Sequence, residues 1–176
     1  TPLNLHSQHI GNFNYIDPVM SKHLWLYEGI TEYFAGLIQV QAGLISLEEY
    51  FLKVIKGKTA QSAKFPHEDM SFTEMSEHVL EKPHSKQYFQ VYERGAIMGL
   101  LLDLEIARLS NYEKSLKDVI ISLSTKYGKN KSFDEQTFIA EFVAQVHPDL
   151  QQFFDNYVTG NEQLPMEEYL DRIGVS

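Results

Sequence analysis

Leu24-Trp25-Leu26-Tyr27-Glu28-Gly29-Ile30-Thr31-Glu32-Tyr33-Phe34-Ala35-Gly36-Leu37-Ile38-Gln39-Val40 is long, apolar and helical in pattern, yet it carries polar side chains. At about 100° per residue, Glu28, Thr31, Glu32 and Gln39 fall at roughly 0°, 300°, 40° and 20°, so the four polar residues share one narrow stripe. Such a stripe is either the solvent face of a surface helix or the lining of a cleft. The spacing admits both readings.

Working outward, the segment before this helix, residues 1–20, mixes prolines and asparagines without periodicity. It reads as an extended lead-in with turns, outside the core. The helix itself spans about 22–42, and Gly43 is placed to end it in the left-handed conformation that glycine tolerates. Ser46-Leu47-Glu48-Glu49 has the Ser-x-x-Glu spacing of a capping box, which starts a second helix running to about Thr59. Residues 60–72 read as a loop. A short helix is expected over 72–80, with a break at Lys82-Pro83.

The longest periodic segment is 85–109, apolar nearly all round at Gly95-Ala96-Ile97-Met98-Gly99-Leu100-Leu101-Leu102, the pattern of a buried helix. Gly95 and Gly99 lie on one side of it, each costing about 1 kcal/mol in propensity relative to alanine. Close approach of another helix is the compensating gain. Further helices are expected over 115–127, over 133–146 from a Ser132-x-x-Glu135 box, over 148–158 and over 166–173. No strand-like alternation persists. The class is therefore all-α, a single helical domain of seven or eight helices over 21–176.

The 176 residues suffice for one core without staples. With no cysteine, disulfides and thiolate nucleophiles or metal ligands are excluded. A net charge of −9 argues against nucleic acid as a partner. Lys53, Lys56, Lys58 and Lys64 read as a solvated basic face. No apolar run is long enough for a membrane-spanning segment. The N-terminus, Thr-Pro-Leu-Asn, carries neither an initiator methionine nor a signal-like segment, and reads as an excised or processed piece.

Seven histidines are present, but no His-Glu-x-x-His pair places two imidazoles one helical turn apart for zinc. His6 and His9 are three apart in a loop, a spacing more often incidental than metal-binding. No nucleophile elbow, phosphate-binding glycine loop or calcium loop occurs. From the residues alone, the chain is a helical domain without a complete catalytic constellation.

Trp25-Leu26-Tyr27-Glu28-Gly29-Ile30-Thr31-Glu32-Tyr33-Phe34, however, resembles the Trp-x-x-Glu-Gly-x-Thr-x-Tyr segment of zinc metallopeptidases related to thermolysin and aminopeptidase N. Ala42-Gly43-Leu44-Ile45-Ser46-Leu47-Glu48-Glu49-Tyr50 is similar to one subgroup, the glycyl aminopeptidases, which carry a PDZ domain after the catalytic domain. Val91-Tyr92-Glu93-Arg94-Gly95-Ala96 resembles a second family segment. Phe153-Phe154-Asp155-Asn156-Tyr157-Val158-Thr159-Gly160, with Leu164-Pro165 and Glu168-Tyr169, is similar to the end of the same catalytic domain.

The resemblance implies the C-terminal helical half of a thermolysin-like catalytic domain, with zinc as cofactor and peptides as substrate. Glu28 would be the third protein ligand of the metal. Tyr92 would point at the scissile carbonyl and stabilise the oxyanion. Thr31 and Glu32 would orient the ligands from behind. One departure from the family is plain: the His-Glu-x-x-His that supplies two ligands and the general base is missing. The aminopeptidase N spacing would put its second histidine at His9, but Leu5 and His6 do not complete the motif. The longer glycyl-aminopeptidase spacing would put it before Thr1. On this reading the chain is an enzyme part that needs upstream and downstream domains and is inactive alone. The alternative is a non-catalytic peptide- or protein-binding module on a peptidase-like scaffold.

Overall fold

The computed structural model describes residues 5–64 and 70–175. Among them are nine helices and no strand. Helix α1 is a single turn, Gln8–Gly11. Helix α2 opens with a π-helical turn, Trp25–Gly29, and continues as Ile30–Gln41. Helix α3 comprises Leu47–Glu49, a second π-helical stretch Tyr50–Ile55, and Lys56–Ser62. Then follow α4 (Phe72–Glu77) and α5 (Tyr88–Leu109), the latter entered through a 3-10 turn, His84–Gln87. The last four are α6 (Leu116–Lys126), α7 (Phe138–Ala144), α8 (Leu150–Tyr157) and α9 (Met166–Arg172). Eight match the helices expected from sequence; α1 is additional.

Helix α5 is the axis of the domain, in contact with α2, α3, α4, α6, α8 and α9. Its middle is buried on every side, from Arg94 through Leu102, as an all-round apolar pattern requires. Met98, Leu101, Leu102 and Ile106 are fully covered, joined by Trp25, Phe72, Phe138, Phe142 and Phe154 from its neighbours. Each such side chain contributes about 1.5–3 kcal/mol. The local signals act as read: Ser46 and Glu49 form a complete capping box, and Gly43 takes φ +68° just past α2. Asp103 ties three elements together, accepting from Tyr33 Oη of α2 at 2.5 Å and from Leu116 N at the start of α6 at 2.7 Å.

Three expectations are corrected. The segment 1–20 is not wholly outside the core. Leu5 and Ser7 are buried, Ser7 caps α1, and Gln8 N and Phe133 N bond across to Phe133 and His6 carbonyls in an isolated parallel bridge. Residues 12–20 do run without a helix. Second, helix α7 begins at Phe138, not 133, because the Ser132-Glu135 box does not form. Asp134 Oδ1 instead accepts from the amides of Gln136 and Thr137, while Glu135 turns inward to accept from Lys22 N at 3.0 Å. Third, Lys58 is not part of a solvated face; its side chain is clamped between Glu32 and Glu93. The expected loop 60–72 is helical as far as Ser62, and 65–69 lie outside the described residues.

Glu135 meets His23, whose Nε2 lies 3.2 Å from the Glu135 carbonyl and 3.6 Å from its carboxylate. Trp25, Phe133 and Phe138 surround the imidazole. Burial among these rings pulls its pKa below the ordinary 6.5, against the attraction of Glu135.

Candidate active site

The glycines decide how α2 and α5 meet. A Cβ on Gly29 would stand 2.8 Å from the Gly95 Cα, and one on Gly95 would stand 2.8 Å from the Gly29 Cα. One turn on, a Cβ on Gly99 would stand 2.9 Å from the Tyr33 Cβ. The small side of α5 is therefore the seat of α2, and the two backbones touch. Glu28 precedes Gly29, and Tyr92 lies one turn before Gly95. Backbone contact at the glycines thus brings that carboxylate and that phenol together.

Both side chains are half-buried. The Tyr92 hydroxyl lies 2.6 Å from the Tyr88 hydroxyl, with the two rings edge to face at 5.2 Å. Its pKa is pushed above the ordinary tyrosine value, chiefly by burial, then by the bond to Tyr88, the negative charge of Glu28 and a hydrogen bond with Glu28. The phenol is consequently neutral, and a proton donor, throughout the physiological range. Glu28 itself sits in the π-helical turn, where the Ile30 amide reaches back five residues to the Trp25 carbonyl. Single π turns inside α-helices recur at functional sites.

The residues of the polar stripe have separate surroundings. Glu32 does not back Glu28; its carboxylate accepts from Lys58 Nζ at 2.8 Å, and Glu93 approaches the same ammonium at 3.5 Å. Thr31 faces a different space, a groove of about 520 Å³ that it lines with Phe34, Ile38, Asp103 and Lys117. Gln39 is exposed and bonds back to the Ala35 carbonyl. The sequence reading missed Tyr88, although an aromatic pair at i and i+4 is a recognisable helix-surface contact. It also missed Lys58, for which no local signal exists.

Among the described residues no group of three or more His, Asp or Glu side chains is gathered closely enough to hold a metal ion.

A helical domain is what the peptidase resemblance calls for, and the comparisons with known proteins agree on the family and on the fold. A family model described as M61 glycyl aminopeptidase matches residues 3–98, more than half of the chain. The chain belongs to the M61 glycyl aminopeptidase family. Its fold is similar to that of the crystal structure of an aminopeptidase N family protein from Idiomarina loihiensis, with a TM-score of 0.81 and 24% identity. The match covers 97% of this chain and 30% of that one, so the present chain spans under a third of its structural relative. No curated protein matches it at the sequence level.

Proposed function

We propose that this chain is the helical part of an aminopeptidase catalytic domain, in which Glu28 contributes a zinc ligand and Tyr92 a hydrogen bond to the reacting carbonyl. The proximity of Glu28 and Tyr92 across the glycine crossing carries this reading, since it sets a carboxylate and a neutral phenol 64 positions apart in sequence side by side. The described residues do not make a metal cage by themselves. The remaining ligands and the base would have to come from other parts of the parent polypeptide, and the chain alone would not hydrolyse peptides. In enzymes of this kind zinc supplies a water that is nucleophilic near neutral pH.

The residues present have definable tasks. Glu28, aimed by the π turn, holds a negative charge at the mouth of the α2/α5 crossing. Tyr92, kept protonated by burial and by its neighbours, can release its bond to Glu28 and donate to an oxygen that gains charge as a tetrahedral centre forms. Lys58, set between Glu32 and Glu93, offsets part of the negative charge that these acids add beside the site. Thr31 is the weaker candidate for a supporting role, because it opens onto the groove beside Asp103. The peptide substrate would enter along the Tyr92 side of α5.

The test is an assay of the parent polypeptide on aminoacyl anilides, with zinc content measured in parallel. Glu28→Ala is expected to lose both activity and bound zinc. Tyr92→Phe is expected to keep the metal and lose roughly 10²–10³ in kcat, the usual effect of removing one oxyanion donor. If the parent shows no hydrolysis and retains no zinc after dialysis, the reading fails. A second reading, a binding module on a peptidase-like scaffold, then takes its place.

A further inference from the structure

On the face of α5 away from Tyr92, a second arrangement stands apart from the peptidase reading. Arg94 follows Tyr92 by two residues, roughly 200° around the helix. It is 5% exposed. Its guanidinium lies over the Phe72 ring at 4.9 Å, and Nη2 donates to the Glu162 carbonyl at 3.2 Å. Among the described residues, the buried Nη1 meets no acceptor and no ion pair includes Arg94. Burial depresses its pKa to about 10, so the group is still charged at neutral pH. Burying a cation is costly unless it is paired, and the described residues supply Arg94 with no carboxylate partner.

This cation lines a cavity of about 740 Å³ between α3, α5 and the start of α9. The other walls divide by chemistry. Ala63, Ile97, Leu164, Pro165 and Met166 are apolar, while Thr59 and Ser62 bring hydroxyls. Glu167 and Glu168 also line the space, and Glu168 is engaged by Arg172. Those two acids raise the cost of admitting a polyanion. A single negative charge on an apolar body is repelled less: its carboxylate can pair with the guanidinium, and its side chain can be covered by Ile97, Leu164 and Met166.

We propose that the Arg94 cavity is a binding site for a monocarboxylate carried on an apolar group, either a free acylated amino acid or the C-terminus of a peptide. The guanidinium supplies a charge-assisted hydrogen bond, the strongest kind available to a neutral-pH anion. Water filling the cavity would satisfy an N–H without neutralising the charge.

The test is a titration of the intact 176-residue chain by NMR, following the Arg94 side-chain Nε–H and the amides of Thr59, Ser62 and Met166. The probes are N-acetyl-leucine, N-acetyl-Gly-Gly-Leu with a free carboxylate, and the C-terminal amide of each. Saturable shifts with both acids and none with the amides are expected, unaffected by competing inorganic phosphate. Tighter binding of the tripeptide than of N-acetyl-leucine would assign the site to peptide termini, and equal binding to small acids. Arg94→Met should weaken binding roughly tenfold or more, as loss of one charged hydrogen bond predicts, with Arg94→Lys recovering part of it. Should Arg94→Met fail to fold, Ala63→Leu fills the cavity from an exposed position and should abolish binding with the guanidinium intact. Equal shifts from acids and amides, or none from either acid, would overturn the assignment.

Discussion

The α2/α5 crossing and the aromatic end of the domain, formed around α7 and α8, hold helices together by opposite means. At the crossing, side chains are removed: Gly29 and Gly95 let backbone meet backbone, and Glu28 and Tyr92 are held beside the contact. At the other end, side chains fill everything. Phe133 stacks on Phe138 at 4.0 Å, and a chain of edge contacts continues through Phe142 and Phe154 to Trp25. The first contact leaves no room for a side chain between the two backbones. The second buries a great deal and can absorb adjustment. Stability should therefore come mainly from the aromatic end, and geometry from the crossing.

The largest expected effect is from Phe154→Ala, which empties a fully buried site and should cost about 3–5 kcal/mol in urea unfolding. At low urea the surviving fold should still titrate Tyr92 at its raised value. A Tyr92 pKa that fell with this variant would break the division of labour. Next is Gly95→Ala, whose methyl must push two backbones apart. About 1–3 kcal/mol should be lost. Its distinguishing readout is the Tyr92 phenol, followed by ultraviolet absorbance against pH, which should move back toward an ordinary tyrosine as Glu28 withdraws.

A smaller effect is expected from His23. Because the folded state holds its pKa below the unfolded value, the unfolded chain takes up the proton first as pH falls. The contribution of the neutral imidazole is thus complete above about pH 6.5 and declines as the pH drops toward the folded pKa. The thermal midpoint should fall between pH 7 and pH 5, and the slope should be shallower in His23→Gln. An equal slope in the variant would remove His23 as the cause. The smallest change should come from Tyr88→Phe, within about 1 kcal/mol in stability. Removing that hydroxyl takes away one of the causes raising the Tyr92 pKa, so the Tyr92 titration should shift downward while the fold is unchanged.

The same contrast explains what was legible in the chain. Contacts that depend on neighbours in sequence could be read: the Ser46 box, the Gly43 stop, the all-round apolar run of α5, and the glycine side of that helix. That α2 would occupy the glycine side, opposite Gly29, was not readable, because a glycine announces space without naming its occupant. Glu135 was misread for the complementary reason. Its spacing from Ser132 satisfies a local rule, but the buried partners Lys22 N and His23 outcompete the cap. The polar stripe did not act as a unit because periodicity places residues on a face without naming what each one meets. Glu28 lies in the π turn at 25–29, while Thr31 lines a groove and Glu32 pairs with Lys58. The pairing of Glu28 with Tyr92 came from family resemblance to the two motifs; nothing in the spacing of either segment would have joined them.

The bond from Lys22 N to Glu135 joins residues 113 apart, and the Ser7–Phe133 bridge lies beside it. Closing so large a loop is entropically unfavourable until most of the intervening chain is in place. Contacts of this span form late and slow the folding of the domains that rely on them. The start of the chain should accordingly dock as a final latch, after α5 has gathered its neighbours. In hydrogen exchange, the amides of Gln8, Lys22 and Phe133 should then open together, well before those in the middle of α5.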